Sequence, residues 1–530
     1  MPVTIYQHIV AHLPREGPGL SEGGDVLPDD PQPADQEGVV RLAPGLADHI
    51  LDPGSELAGE QAAAAVVRDF VGMTHGRAPS ETYERFYRRL VDIEELGFLE
   101  PFVRRVFGSP VKKRDVRRIA LRLVTESTDR LPVKTGIALL GICARREDQR
   151  LLLTMARHAE FTGYAGMAIA NAFGEQESVL WELAKVVVGW GRVDLVYQLA
   201  STRDPRIKAW ILRQANEDFT VLSSACLVLA EAGELRNELE RDELDDDVCL
   251  AAGAILQQLI EARIFDDGQA IDDYGDGPEA IRLYLSHLSR RPERLEYLQP
   301  LMTVLEYLES GCSVARYFPE FREEMAARVA DRPMVGWSDQ ERARATTHAR
   351  WVLLQPGWRR TISEGLESDD DHTFYLAERA ADRLGDDVFP VLLARLQRDP
   401  YTSEITWEDA GRAADQEGFD RLLELARARL SEHRPYDGPF FPVWLRPILD
   451  GFERFPGKAW WPLIREGLSS PVMMERRFGI NGLRYLGRPW PPEALALLVR
   501  VCRSDPDEDN QDWAAELLEE HGFPGRVGTP

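Results

Sequence analysis

The chain has 530 residues, of which 44% are hydrophobic and 29% charged, and its formal net charge is −26. That length exceeds one compact core, so several domains or one long repeat array are expected. So acidic a surface repels phosphate backbones at long range, which disfavours nonspecific nucleic-acid binding, and no run approaches the ~18 apolar residues of a membrane span.

The first 60 residues form an N-terminal segment. A short helix is expected from Ile5 to Leu13, and no basic stretch leading into a long apolar run suggests a secretion signal. His8 and His12 lie one turn apart and could share a metal, but Ile9 stands where a zincin needs glutamate, so no metal ligand is expected there. Residues 14–38, "PREGPGLSEGGDVLPDDPQPADQEG", are rich in Pro, Gly and acid. With so little apolar surface to offset ordering entropy, this stretch is expected to be a flexible linker.

From 61 to 435 the pattern becomes a helical array. The stretch 104–122 holds eight basic residues against Asp115. Within it Lys112, Lys113, Arg114, Arg117 and Arg118 form a candidate partner-binding patch, the alternative being a solvated face paired internally with acids. In "IDDYGDGPEAIRLYL" (271–285), Gly275, Gly277 and Ala280 spell G-x-G-x-x-A, but the preceding residues are acidic rather than a buried strand. As a calcium loop the same stretch has Tyr274 and Leu283 where acids belong. A turn that starts a helix, with Pro278 at its first position, is favoured, leaving a weak cation site on Asp272, Asp273 and Asp276 open. Ile281, Tyr284, Leu285 and Leu288 then give one helix stripe, and Leu295, Leu298, Met302, Leu305 and Leu308 a second, expected to pack as an antiparallel pair with Pro292 opening the second helix. "SDDDHTF" from Ser368 reads as an acidic helix start.

An aromatic and Pro-rich stretch, 436–468, contains Phe440, Phe441, Trp444, Phe452, Phe455, Trp460 and Trp461. Its rings are expected to fill core, and its prolines mark a domain boundary before C-terminal helical repeats (436–525) and a tail (526–530). Repetition is visible along the array: 380–400 runs helix, Leu384-Gly385 turn, helix, Asp399-Pro400, and 480–506 repeats this with Leu486-Gly487 and Asp505-Pro506. A looser version spans 133–158 around Leu140-Gly141. Glycine closes the first helix in the left-handed region, and the residue before proline leaves the α region at the end of the second.

On these residues, and on "DVRRIALRL" from Asp115, the chain resembles HEAT-repeat proteins. The resemblance implies an all-α, right-handed α-α superhelix of antiparallel helix pairs, with a concave binding surface and usually no chemistry. The block from His158 to Leu199 resembles bacterial helical proteins, some of which carry a terpene-hydroxylase label. "QPGWRRTISEGL", with Trp358, Arg359 and Arg360, is similar in composition to HEAT-like DNA glycosylases.

No G-x-S-x-G elbow, P-loop or cofactor fingerprint occurs, and no cofactor is expected. Cys143, Cys226, Cys249, Cys312 and Cys502 form no CxxC pair, which fits reduced thiols in a cytoplasmic protein. The chain therefore reads as a non-catalytic, protein-binding scaffold or adaptor, with a protein partner, no membrane and little affinity for nucleic acid. The alternative is an enzyme whose site, unmarked by motif, is assembled within the helical array; glycosylase and hydroxylase are the activities the two weaker resemblances imply.

Overall fold

The computed structural model describes residues 3–30, 42–50, 56–74, 80–93, 96–174, 176–265, 268–291, 293–314, 324–399, 404–431 and 445–523. Among them the chain is all-α, without a strand. Described residues up to Trp358 form one compact unit and those from Arg359 onward a second. The boundary expected at 436 lies outside the described residues, as do Phe440, Phe441, Trp444 and the tail.

The first unit carries α1 (Ile5–Ala11), α2 (Ala47–Ile50), α3 (Glu56–Thr74), α4 (Ser80–Val91), α5 (Leu99–Phe107), α6 (Lys113–Glu126), α7 (Arg130–Cys143), α8 (Gln149–Met155), α9 (Ala159–Phe173), α10 (Glu177–Ala184), α11 (Trp190–Leu199), α12 (Pro205–Glu217), α13 (Phe219–Ala232), α14 (Leu235–Leu239), α15 (Asp246–Ala262), α16 (Gly277–Leu288), α17 (Leu295–Ser310) and α18 (Asp339–Leu353). Helices α7, α9, α11, α13, α15 and α17 succeed one another as packed neighbours, and α6, α8, α10, α12 and α16 lie against that row. Each amphipathic helix can bury its apolar stripe only on its neighbours, so the row is compatible with an α-solenoid.

The division falls within α19 (Gly357–Leu366). The second unit continues with α20 (Asp371–Arg383), α21 (Phe389–Arg398), α22 (Glu404–Ala413), α23 (Gln416–Ser431), α24 (Leu445–Arg454), α25 (Trp461–Ser469), α26 (Met473–Tyr485), α27 (Pro492–Ser504) and α28 (Glu508–Glu520). Here α22, α24, α26 and α28 are successive neighbours. Phe452 is fully buried, whereas Phe455, which stacks on Phe419 at 4.8 Å, and Trp460 and Trp461 are half-buried.

Ile281, Tyr284, Leu285 and Leu288 are buried as their spacing requires. In the next stripe Leu295, Leu298, Met302 and Leu308 are buried, but Leu305 is only half-buried. The pairing differs from expectation: α17 packs chiefly on α15 and α18, and touches α16 less. It begins at Leu295, and Pro292 lies outside the described residues.

The Leu-Gly pairs divide three ways. Gly385 has φ +80° and closes α20 in the left-handed region, as glycine should. Leu486 ends α26 in an extended conformation, and Gly487 does not enter the left-handed region. Gly141 ends nothing, since α7 runs through it to Cys143. A Cβ on Gly141 would lie 3.3 Å from the Ala168 Cα, so its bareness lets α7 and α9 approach closely. Gly136 does the same toward α6, where a Cβ would lie 2.9 Å from the Ala120 carbonyl oxygen and 2.8 Å from Val124.

Of the linker expected over 14–38, residues 31–38 lie outside the described residues, and residues 14–30 contact the first unit. The Gly19 N–H donates to the Val186 carbonyl at 2.9 Å, and Arg157 donates to the Gly19 carbonyl at 2.8 Å. Leu27 is buried, and Arg130 pairs with Asp29 at 3.0 Å and also with Asp30. Composition undercounted this stretch because its anchors are main-chain groups and acids rather than apolar side chains. His8 and His12 serve the same packing, with His8 Nε2 3.1 Å from the Gly24 carbonyl and His12 Nδ1 2.8 Å from the His8 carbonyl.

The segment 42–50 is fixed through a buried ammonium. Lys134 Nζ lies 2.7 Å from both Asp48 Oδ2 and Glu160 Oε1, while the Gly45 N–H donates to Glu160 Oε2 at 3.0 Å. Burial would raise the Glu160 carboxyl, but Lys134 and the Gly45 amide outweigh it and hold the group below its ordinary value.

Alanine is the better helix former by about 1 kcal/mol, yet at position 136 the added methyl meets backbone. Gly136→Ala should therefore destabilise the first unit, by about 1–3 kcal/mol as overpacking does. Thermal melting with amide exchange read on α6 and α7 checks it, and a stabilised variant would contradict the close contact.

Candidate functional site

The basic stretch 104–122 proves to be two kinds of surface. Arg104 and Arg105 both pair with Glu60 of α3, and Arg122 pairs with Glu126 at 2.9 Å while covering the Tyr83 ring at 3.6 Å. Arg117, one of the five candidate residues, is also committed internally. Its guanidinium holds the buried Asp148 through Nε at 2.7 Å and Nη2 at 2.6 Å, and reaches Glu147 at 2.5 Å. Arg117 is therefore a structural clamp between α6 and the turn after α7.

The other four, Lys112, Lys113, Arg114 and Arg118, are exposed. Lys112, Lys113 and Arg118 have no ion pair among the described residues, and Arg114 lies 3.6 Å from Asp115. The Arg117 clamp brings the Arg145–Asp148 turn to this end of α6, adding exposed Arg145 and Arg146, which sequence distance had hidden. Three of these cations occupy the start of α6, against the positive end of the helix dipole, where each costs about 0.3–1 kcal/mol. Nothing in the folding of α6 rewards that placement.

A second feature, with no sequence motif, is a cleft of about 280 Å³ in the second unit. It is lined by Phe374, Tyr375 and Glu378 of α20, Leu392 and Arg395 of α21, and Ile405, Thr406 and Asp409 of α22, with Asp371 and His372 at the start of α20. Arg395 is fixed, donating to the Ser368 carbonyl at 3.0 Å, pairing with Asp371, and lying 4.1 Å over the Phe374 ring. Asp409 is buried with Arg412 paired to it and Arg379 3.5 Å away.

Glu378 is 3% exposed, and its Oε2 has no hydrogen-bond partner among the described residues. Burial, and then the neighbouring Asp409 charge, push its carboxyl up to about 8. Burial raises Asp409 as well, but its guanidinium partners favour the charged form, so the proton of this pair sits on Glu378. Phe374, Ala377, Glu378 and Ala381 are all buried on one face of α20, at i, i+3, i+4 and i+7. An acid inside an apolar stripe was the available signal, lost among 89 acidic residues.

Other expected features resolve structurally. Asp272 takes a hydrogen bond from Arg263 Nε at 2.5 Å and Asp273 one from the Ala270 N–H at 2.9 Å, so two carboxylates of the proposed cation site are occupied. Asp276 stands at the N-cap of α16, with proline in the first turn. Among the described residues no group of three or more His, Cys, Asp or Glu side chains could hold a metal. Trp358 is buried and donates from Nε1 to the Val352 carbonyl at 2.9 Å, while Arg359 pairs with Asp386. Trp358, the tryptophan on which the glycosylase resemblance rests, is therefore core. A larger groove beside α3 and α4, of about 810 Å³, has its arginines paired, Arg85 and Arg89 with Asp69 and Arg88 with Glu84. No helix among the described residues is long and apolar enough to cross a membrane.

Comparison with protein-family models, curated proteins and solved structures finds no match to this chain.

The raised Glu378 carboxyl links stability to pH. Between its unfolded value near 4.5 and its folded value near 8 the native state binds one more proton, so the stability this group contributes is complete below that window and is lost as pH rises through it. Glu378→Gln keeps the shape without the charge. It should leave melting of the second unit nearly unchanged at pH 5 and raise it at pH 8.5, whereas equal effects at both pH values would show that Glu378 is ionised throughout.

Proposed function

We propose that this chain is a non-catalytic binding protein, a scaffold or adaptor of stacked HEAT-like helix pairs, that takes an acidic protein segment on the edge where α6 meets the α7–α8 turn. The observation that supports this reading is the exposed group Lys112, Lys113, Arg114, Arg118, Arg145 and Arg146 in a chain of net charge −26. Lys112 and Lys113, at the wrong end of a helix dipole and without an ion pair among the described residues, serve an external anion better than they serve the fold. The overall negative charge keeps long phosphate polymers away, so an acidic polypeptide segment is the fitting partner. A rigid two-helix edge would also hold such cations in place, limiting the entropy lost on binding.

A labelled polyglutamate peptide tests the reading by fluorescence anisotropy. Reversal of Lys112, Lys113, Arg114 and Arg118 to Glu should weaken binding by at least about tenfold, as several rim charges of ~0.2–1 kcal/mol each imply. Arg117→Ala serves as the contrast, since it should lower stability by leaving Asp148 buried and unpaired. Unchanged peptide binding by the charge-reversed chain would remove the proposal.

A further inference from the structure

We propose that the cleft between α20, α21 and α22 binds a small apolar amine, with the Glu378 carboxylate holding its ammonium group. The walls supplied by Phe374, Tyr375, Leu392 and Ile405 are apolar, and the cleft is near the lower end of the ~300–1,000 Å³ typical of small-ligand sites. Glu378 lines it, and the buried Glu378 Oε2 has no hydrogen-bond partner among the described residues. A buried polar atom without a partner is costly and uncommon, and a ligand that supplies the missing donor removes the cost.

The charges facing Glu378 decide the sign of that ligand. From its own helix come Arg379, Asp382, Asp371 and His372, from α21 Arg395, and from α22 Asp409 and Arg412. Arg379 and Arg412 are committed to Asp409, and Arg395 to Asp371, so the basic groups are matched by other acids. Glu378 and Asp382 have no ion pair among the described residues, and of the two only Glu378 lines the cleft. An anionic ligand would meet Asp409 and Glu378 together, whereas an ammonium would complete the set. Entry of the cation moves the Glu378 proton to solvent, leaving an ammonium–carboxylate hydrogen bond of the charge-assisted kind, roughly twice as strong as a neutral one. Affinity should therefore rise with pH toward the folded value of the Glu378 carboxyl, near 8.

Isothermal titration of the full chain with 2-phenylethylamine, in two buffers of different ionisation enthalpy, measures both affinity and proton release. The expected result is saturable binding that tightens between pH 6 and pH 8, releases close to one proton at the lower pH, and exceeds the binding of 2-phenylethanol by about tenfold. Glu378→Gln should lose that preference for the amine. Ile405→Trp, a change at a half-exposed lip residue, should block both compounds while leaving Glu378 in place. Absence of amine binding, equal binding of amine and alcohol, or undiminished amine binding by Glu378→Gln would each overturn the proposal, equal binding showing instead that the neutral acid donates its O–H to the ligand.

Discussion

Helix α7 is approached on two sides at backbone distance, and most of the first unit depends on that. Gly136 admits α6, Gly141 admits α9, and Lys134 on the same helix anchors the 42–50 segment through Asp48 and Glu160. A buried ammonium is tolerable only when its acids are in place, since removing one partner of such a pair leaves an uncompensated charge in low dielectric. The N-terminal segment is thus part of the electrostatic balance of the core. His158 belongs to the same region, its Nδ1 accepting from the Glu160 N–H at 3.2 Å while burial lowers the ring to about 4 and keeps it neutral.

The α6–α7 contact also makes the basic edge. Lys112 to Arg118 and Arg145 to Arg146 are separated by a full helix hairpin in sequence, and the Arg117–Asp148 pair brings them to one end of that hairpin. One arginine in the cluster is consumed as a clamp so that the exposed cations around it have a fixed frame. Internal pairing describes Arg104, Arg105, Arg117 and Arg122, whereas Lys112, Lys113, Arg114 and Arg118 are exposed.

Helix periodicity was legible in the residues because a stripe at i, i+3, i+4 and i+7 has one stable use, burial on a neighbouring helix. Glycine was less legible because it has two uses. The same Leu-Gly pair closes α20 at Gly385 and, at Gly141, sits inside a helix where a neighbour's backbone comes too near for a side chain. Only the partner helix distinguishes them, and the partner is not written locally. Charge was the least legible of all. Nothing around Lys134 marks it as buried among acids, and Glu378 has only its apolar stripe as a local mark, since both outcomes depend on residues 26 to 86 positions away, such as Glu160, Asp48 and Asp409. Polar segments misled in the opposite direction: residues 14–30 have little to bury, but they have carbonyls, amides and aspartates that the first unit uses.

The proposed recruitment of an acidic segment to the exposed cationic edge rests on electrostatic attraction. Its most direct measurement is the association rate of an acidic peptide as a function of ionic strength, by stopped flow. The Debye length shrinks from ~10 Å at 0.1 M salt to ~3 Å at 1 M, so a steered encounter should slow steeply across that range while dissociation changes little. An association rate that is flat with salt, in a chain whose α6 cations remain intact, would contradict the account.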